Sequence, residues 1–302
     1  MPPVVSLVVP TQRRPGGLET AVRSLFAQTG LDLATVELIV ADNDAVPSAQ
    51  PLIEALTPDA PLPVTYVHEP RAGVANVRNA ALAVARGQWI AFLDDDEEAP
   101  AGWLADLMEA QALLGADVVF GPVRGRAPEK VRHRAYLEDF FSRHGPADTR
   151  LLDSWYGCGN SLIRRAALPH PTAPFDPSRN ASGGEDDLLF AQMANAGASF
   201  GWAHKAFVWE DPVPARLTLA YALRRAFAYG QGPSEHCAAE KNIGGILRWM
   251  LAGLVQTALW APVVAIKWAL LAPDRAMPLD RLMRGLGKTF WFPPFSQTFY
   301  GR

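Results

Sequence analysis

The chain has 302 residues, of which 49% are hydrophobic and 20% charged, so it is globular rather than disordered or fibrous. Its 28 Lys and Arg against 31 Asp and Glu give a formal net charge of −3, which excludes a protein that grips nucleic acid over a broad basic face. Two cysteines, Cys158 and Cys237, lack metal-ligand spacing and favour a reducing, cytoplasmic setting. The first apolar run stops at Pro10 and lacks a basic flank, so we interpret it as a strand and not as a signal peptide.

Strands alternate with helices through the first 120 residues of the predicted fold. Short β-branched runs predict strands at 4–9, 36–41, 64–68, 89–93 and 117–120. Apolar residues at helical spacing predict helices at 18–28, 76–86 and 103–114. This alternation predicts an α/β protein with a doubly wound, mixed but mostly parallel sheet. In such sheets ligands bind beyond the carboxyl ends of the strands, where the strands ending at Ala41 and Leu93 deliver carboxylates.

Two acidic motifs are candidates for chemistry. Asp94, Asp95 and Asp96 follow a buried strand, and adjacent carboxylates repel one another unless a divalent cation, Mg²⁺ or Mn²⁺, neutralises them. A solvated acidic turn is the alternative. Asp186 follows two glycines and opens a predicted helix at 188–196, so it is either a general base for a hydroxyl or a helix cap.

The last 60 residues differ in character. From residue 243 onward there are seven Lys and Arg against two Asp and Glu. Residues 249–266 form an uncharged run of about 18 residues between Arg248 and Lys267. Tryptophans, which suit the lipid headgroup zone, stand at 249, 260 and 268. The sequence leaves open an interfacial helix or hairpin, a membrane span, and a buried helix. We expect the first.

The order of the motifs along the chain carries a family resemblance. The motifs are V-S-L-V-V-P-T within 4–11, Asp42-Asn43, G-V-A-N-V-R-N at 73–79, Asp94-x-Asp96 followed by Trp103-Leu104, Gly159-Asn160 with Arg164-Arg165, and Gly184-Glu185-Asp186. Over about residues 4–210 this series resembles the family 2 glycosyltransferases of the GT-A fold. The resemblance implies a sugar transfer from a nucleotide sugar, with Mg²⁺ or Mn²⁺ as cofactor.

The resemblance also implies roles for single residues. Those expected to bind the nucleotide sugar are Pro10, Thr11, Arg13, Asp42, Arg78, Asp94 and Asp95. Asp96 is expected to meet the metal, and Asp186 to be the catalytic base. One departure stands at 209–211, where many members carry a histidine and this chain has Trp-Glu-Asp. We expect Glu210 to take the place of that histidine at the metal.

The segment from 209 to 232 and the basic apolar tail are similar to the succinoglycan-biosynthesis type. This narrower resemblance implies an inverting transfer of glucose or a related hexose from a UDP-sugar to a hydroxyl of a lipid-linked saccharide, at the cytoplasmic face of the plasma membrane. The residues expected to contact the acceptor are Glu185, Arg216, Arg224 and Arg225, although a solvated helix face is the alternative for the three arginines. We predict a GT-A catalytic domain at 1–242, with a nucleotide-sugar half at 1–110 and an acceptor half at 111–242, followed by a membrane-associated helical tail at 243–302.

Two other functions are compatible with parts of this pattern. A metal-dependent nucleotidyl- or phosphotransferase would use Asp94 and Asp96 but has no use for Asp186 opposite them. A non-catalytic membrane protein that binds nucleotides or glycans would keep affinity without turnover. Release of free UDP from a UDP-sugar in the presence of Mn²⁺ distinguishes the glycosyltransferase from both.

Overall fold

A computed structural model describes residues 4–180 and 183–295. Within them the chain forms two compact units. Unit 1 comprises residues 4–124 and 142–211, and unit 2 comprises residues 125–141 and 212–295.

The strands, in chain order, are β1 (Val5–Thr11), β2 (Val36–Asp42), β3 (Val64–His68), β4 (Trp89–Phe92), β5 (Glu97–Glu98), β6 (Val118–Phe120), β7 (Val123–Gly125), β8 (Arg150–Leu152), β9 (Ser161–Arg164), β10 (Phe200–Trp202) and β11 (Val208–Glu210). The helices are α1 (Pro15–Phe26), α2 (Gln50–Leu56), α3 (Val74–Val84), α4 (Trp103–Leu114), α5 (Arg134–Phe140), α6 (Glu185–Asn195), α7 (Leu219–Ala239), α8 (Ile243–Ala269) and α9 (Ala276–Thr289).

Unit 1 is organised around a mixed sheet whose described strands run in the order β3-β2-β1-β4-β9-β6-β10-β8. Strands β3, β2, β1 and β4 are parallel, whereas β9 runs antiparallel between β4 and β6. A second sheet has the order β5-β11-β7. The mixed α/β class predicted from the alternation of strands and helices is confirmed.

The core of unit 1 lies on both faces of the large sheet. Every residue of β2 is buried, as a continuous apolar run predicts for a parallel strand covered on both faces. On one face α1 and α4 contribute Leu18, Leu25 and Leu107, and on the other face α3 and α6 contribute Leu82 and Phe190. This double covering fixes the strands rigidly, so the loops at their carboxyl ends are held in place.

Unit 2 contains α5, α7, α8 and α9. Helix α9 packs on both α7 and α8. Tyr136 of α5 donates a hydrogen bond to Asp280 of α9, which also pairs with Arg284 at 2.8 Å. Gly253 is the one buried residue of α8, although this helix is long and apolar enough to cross a membrane. In this structure α8 is therefore not the buried helix that the sequence left open.

The predicted strands and helices up to residue 120 agree with the structure to within a few residues at their ends. The predicted helix at 188–196 begins earlier, at Glu185, so all three acids of its first turn lie at the helix N-terminus. The apolar run at 249–266 continues in both directions to form the 27 residues of α8. No helix was predicted at the positions of α2, α5 and α7, and α9 lies within the helical tail predicted at 243–302 without having been distinguished from α8. Helices α2 and α5 have only seven residues each, which is too short for a clear period.

Candidate active site

The carboxyl ends of β1, β2 and β4 bring the first group of predicted site residues to one edge of the sheet. Thr11 lies beside Asp42 in the parallel register, and Val8 lies beside Phe92, two residues before Asp94. The Thr11 hydroxyl donates to Asp95 Oδ2 at 2.8 Å. Pro10 is the half-buried residue before Thr11 in β1. The structure therefore brings the predicted nucleotide-binding residues of β1, β2 and the acidic turn together.

Asp42 organises the loop that follows β2. Its Oδ1 accepts from the Asp44 amide at 3.0 Å, and its Oδ2 accepts from the Ala49 amide and the Tyr66 hydroxyl at 2.8 and 2.9 Å. Burial together with Asp42 raises the pKa of Tyr66, so this phenol stays protonated and keeps donating. The buried carboxylate thus sets the shape of the loop. Its predicted contact with a base stays a prediction.

Arg13 and Asp44 form an ion pair at the rim of the same loop. Arg13 donates from Nε and Nη2 to Asp44 Oδ1 at 2.9 and 2.6 Å. These hydrogen bonds lower the pKa of Asp44 to about 2. Arg13 has a φ of 56°, in the left-handed region, and its side chain is largely exposed. The exposed guanidinium is available to an incoming anion.

The acidic turn, residues 94–98, is partly neutralised by Arg14. Its Nη1 lies 2.8 Å from Asp95 Oδ1 and 2.6 Å from Asp96 Oδ2. Burial raises the pKa of Asp95 to about 6 even with Arg14 beside it. The sequence analysis did not select Arg14. The signal available was its position directly after the β1 motif, next to Arg13.

Arg78 connects the two halves of the candidate site. From α3 it donates Nη1 to Glu185 Oε1 of α6 at 2.6 Å, and its Nη2 lies 3.7 Å from Asp94 Oδ1. Its guanidinium carbon also lies 5.9 Å from the ring centroid of Phe92 and 5.4 Å from that of Phe175. Arg78 and Glu185 each have a side chain only 7% exposed. Glu185, predicted to contact an acceptor, is thus paired in the interior, and the acceptor contact stays a prediction.

Asp186 is held at the N-terminus of α6 by the Gly-rich turn before β9. Its Oδ2 accepts from the Cys158 amide at 3.1 Å, and its Oδ1 accepts from the Asp187 amide at 2.9 Å. The helix dipole favours a negative charge at this end. Because both oxygens accept hydrogen bonds from backbone amides, the orientation of the carboxylate is fixed.

Gly159 and Asn160 each have a structural role in the loop that approaches the acidic turn. A Cβ on Gly159 would lie 2.5 Å from Asp94 Oδ2, so only glycine leaves room for that carboxylate. Asn160 is fully buried with a φ of 50°. It accepts from Trp103 Nε1 at 2.7 Å and donates to the carbonyls of Pro122 and Ala206. This side chain fixes the loop that approaches the acidic turn.

Two further charged residues lie in this cluster that the sequence analysis did not select. Glu97 is buried, and burial and the neighbouring Asp94 raise its pKa well above the usual value. Arg143 donates to the Gly159 carbonyl at 2.7 Å, and its charge lowers the pKa values of Asp94 and Glu97 against the effect of burial. Arg143 lies in a stretch without periodicity, so no pattern in the sequence pointed to it.

Glu210, predicted to reach the metal, pairs with Glu97 across β11 and β5. It adds to the negative charge around Glu97. The predicted acceptor arginines belong to unit 2. Arg224 and Arg225 lie on α7, where Arg225 donates to the Tyr229 hydroxyl at 2.9 Å, and Arg216 lies in the turn before that helix. Their contact with an acceptor stays a prediction.

The donor atoms around the acidic turn fit a hard divalent cation. Asp94, Asp96 and Glu97 supply carboxylate oxygens, the ligands that Mg²⁺ and Mn²⁺ prefer. Across residues 4–180 and 183–295 there is no preformed group of three or more ligating side chains. That is compatible with a Mg²⁺-type site, in which one or two carboxylates act together with the phosphates of a substrate. Asp96 would have to exchange its contact with Arg14 for the cation.

Comparison with known proteins assigns the family. A model of glycosyl transferase family 2 matches residues 6–170. The chain is also 37% identical over 249 residues to the succinoglycan biosynthesis protein ExoM of Rhizobium meliloti, covering 82% of this chain and 79% of that protein. The chain therefore belongs to the family 2 glycosyltransferases, and it is an enzyme. The family resemblance stated from the motifs is confirmed.

Other similarities are narrower or concern the fold alone. A β-1,3-glucosyltransferase of Campylobacter jejuni, named for GalNAc(5)-diNAcBac-PP-undecaprenol, is 32% identical over 120 residues, which is 39% of this chain and 38% of that enzyme. The mannosyltransferase PcManGT of Pyrobaculum calidifontis, solved with GDP-Man and Mn²⁺, has a TM-score of 0.61 at 20% identity and covers 96% of this chain and 88% of that one. Residues 1–349 of S. aureus TarS with UDP have a TM-score of 0.54 at 18% identity, covering 93% and 90%. These structures confirm the GT-A fold.

Proposed function

We propose that the enzyme is an inverting glycosyltransferase that moves glucose or a related hexose from a UDP-sugar to a hydroxyl of a lipid-linked saccharide, in exopolysaccharide or cell-surface glycan synthesis. The observation that carries this proposal is the placement of Asp186. Its carboxylate is oriented by two amides and shares the charge cluster of Arg78 and Asp94. An inverting displacement needs a base for the acceptor hydroxyl and positive charge near the leaving group, and an oriented carboxylate within this charge cluster supports that assignment.

The proposed binding site for the donor sugar nucleotide lies at the edge of the sheet formed by the carboxyl ends of β1, β2 and β4. Asp42 and Tyr66 shape the loop expected to hold the uracil, and the exposed guanidinium of Arg13 lies at its rim. Asp94 and Asp95 are expected near the ribose. S. aureus TarS, whose fold this chain shares, was solved with UDP, which supports a uridine nucleotide as the ligand of this chain.

A divalent cation held by Asp96, with Glu210 nearby, would neutralise the charge that develops on the leaving diphosphate. Arg78 and Arg143 add fixed positive charge beside Asp94. Asp186 takes the proton from the acceptor hydroxyl as that oxygen attacks the anomeric carbon. The leaving group departs on the opposite side, so the configuration at that carbon inverts and no covalent enzyme intermediate is needed.

The acceptor and the location rest on other support. The relative with 37% identity is a succinoglycan biosynthesis protein, and the Campylobacter relative is named for an undecaprenol-linked substrate. An enzyme with such an acceptor works at a membrane, and the exposed apolar helix α8 suits that surface. We place the protein at the cytoplasmic face of the plasma membrane, where nucleotide sugars are available. Glu185, Arg216, Arg224 and Arg225 are the proposed acceptor contacts.

The test is a comparison of Asp186→Asn with Asp187→Asn in the full-length protein. Asp187 is adjacent and accepts only a 3.2 Å hydrogen bond from Trp155, so its variant makes the same change of charge next to the proposed base. We expect Asp186→Asn to lower the release of UDP from UDP-glucose by roughly 10²–10⁴, the scale of general base catalysis, and Asp187→Asn to lower it much less.

Binding of UDP separates catalysis from folding. Both variants should bind UDP with Mn²⁺ as the wild type does when measured by calorimetry, and EDTA should weaken binding in all three. Near-normal turnover in Asp186→Asn would show that Asp186 is not the catalytic base. Equal binding of UDP with EDTA and with Mn²⁺ would remove the metal from the proposal.

A further inference from the structure

Helices α8 and α9 form an antiparallel pair along most of their length. Thr289 Oγ1 donates to the Met250 carbonyl, and Trp268 Nε1 donates to the Arg275 carbonyl near the other end of α8. The backbones approach closely at Gly253, where a Cβ would lie 2.6 Å from the carbonyl oxygen of Gly285. The pair is thus a fixed element of unit 2, with a defined surface on each side of the contact.

A groove of about 810 Å³ runs beside this contact. Its lining is mainly apolar, from Leu251, Val255 and Leu259 of α8 and Met277 of α9. Arg248 and Arg281 line the same groove. The groove is open to solvent, and an apolar lining with a few charged groups suits an amphipathic ligand that lies along a surface.

The cations at the groove lack neighbouring carboxylates. Within the part of the chain that the structure describes, Arg248 and Arg281 form no ion pair. Arg281, Arg284 and Lys288 are spaced by three and four residues, so they share one face of α9. Burial lowers the pKa of Lys288, and the positive charges of Arg284 and Arg281 lower it further. Arg284 already pairs with Asp280, so Arg281 is the cation on this face that an anion in the groove would neutralise.

The groove opens beside an apolar surface. Exposed residues of α8 are Leu247, Leu251, Leu254, Val255, Leu259 and Ile266. A contiguous apolar surface of this kind on a helix marks a site that is covered in the working protein. Unit 2 also carries 14 Lys and Arg against 7 Asp and Glu, although the whole chain is acidic. Apolar surface and basic charge therefore coincide in this unit.

We infer that the groove between α8 and α9 binds one anionic phospholipid of the bilayer, with an acyl chain along Leu251, Val255 and Leu259 and the phosphate at Arg248 and Arg281. This inference rests on the membrane association proposed above and gives it a specific ligand. Charge complementarity favours a phosphate headgroup. The continuity of the groove with the exposed face of α8 favours a lipid of the bilayer that this face contacts.

The test measures binding of the full-length protein to vesicles at low salt. The wild type should bind phosphatidylglycerol vesicles more tightly than phosphatidylcholine vesicles, and native mass spectrometry from detergent should retain one phosphatidylglycerol. The variant Arg248→Ala/Arg281→Ala should bind phosphatidylglycerol vesicles at least about 30-fold more weakly, since each charge-assisted hydrogen bond to the phosphate contributes at least about 1 kcal/mol. It should also lose the retained lipid.

The matched control is Lys130→Ala/Arg132→Ala, two exposed residues of unit 2 outside the groove. It makes the same change of net charge. If the lipid binds in the groove, the control variant should keep most of its affinity for phosphatidylglycerol vesicles and should still retain the lipid. Equal losses in both variants would show a diffuse electrostatic attraction and overturn the inference. Arg248→Lys/Arg281→Lys, which keeps the charges, should restore most of the binding.

Two further outcomes would each overturn the phospholipid assignment in a different way. If the wild type binds neither kind of vesicle, the membrane association fails together with this inference, while the binding of UDP still tests the proposed chemistry separately. If the same amount of a polyprenyl phosphate in the vesicles binds more tightly and only the groove variant loses that binding, the ligand is an isoprenoid and the phospholipid assignment is wrong.

Discussion

The buried ion pair between Arg78 and Glu185 gives the sharpest test of the structure. Both side chains are 7% exposed, and the contact is 2.6 Å. Arg78→Met keeps much of the volume but leaves Glu185 and Asp94 without the cation that faces them. Breaking a buried pair from one side costs about 3–5 kcal/mol. Because Arg78 faces two carboxylates, we expect the loss of unfolding free energy to lie at the upper end of that range.

Substitution of the acidic partner, Glu185→Gln, should cost less unfolding free energy than Arg78→Met. In Glu185→Gln the guanidinium still has Asp94 at 3.7 Å, so its charge remains compensated. We expect about 1–3 kcal/mol, the scale of one buried hydrogen bond to a charged group. The control is Arg150→Met, which removes a 2.6 Å ion pair with Asp148 whose side chains are 57% and 58% exposed. That change should cost less than about 1 kcal/mol, because solvent screens an exposed pair.

Urea unfolding followed by circular dichroism measures these differences. The pH dependence supplies a second check. Burial already raises the pKa of Glu185, and loss of Arg78 should raise it further. A carboxyl with a raised pKa in the folded state binds more protons there, so its contribution to stability falls as pH rises. The cost of Arg78→Met should therefore shrink between pH 8 and pH 5. A larger cost for Glu185→Gln than for Arg78→Met, or a cost that grows toward pH 5, would refute this reasoning.

Three further predictions follow from single contacts. Burial raises the pKa of Cys158 to about 12, so its thiol should resist iodoacetamide at pH 8 in the native protein and react in urea, as read by mass spectrometry; rapid native labelling would contradict the burial. Gly159→Ala places a Cβ where Asp94 Oδ2 lies, so UDP binding with Mn²⁺ should weaken at least about tenfold by calorimetry while the fold survives, whereas Gly16→Ala, in open space, should bind normally. Truncation after Asn242 uncovers the face of α7 that packs against α9 and should cause aggregation even in the presence of vesicles; a soluble fragment that binds UDP would show that α7 needs no such cover.

The sequence alone determined strands β1, β2, β3, β4 and β6 of the large sheet and the positions of the site motifs that follow them, whereas β8 and β10 were not predicted. Short β-branched runs and Ala-rich helices alternate through residue 120. The spacing of apolar residues within each segment identifies it as a strand or a helix from local sequence alone. The parallel part of the sheet then requires that the residues after β1, β2 and β4 meet at one edge. The order of the motifs was enough to identify the family.

Only the tertiary structure decided how the charges at that edge are paired. Arg78 meets Glu185, 107 positions away, and Arg14 meets Asp95 and Asp96 across more than 80 positions. Such contacts have no local period, because they depend on which loops the packed sheet brings together. The same holds for Arg143, which meets the carbonyl of Gly159 from a stretch without periodicity. The local pattern of apolar residues therefore determines the helices and strands, whereas the tertiary structure determines which buried charged side chains pair with one another.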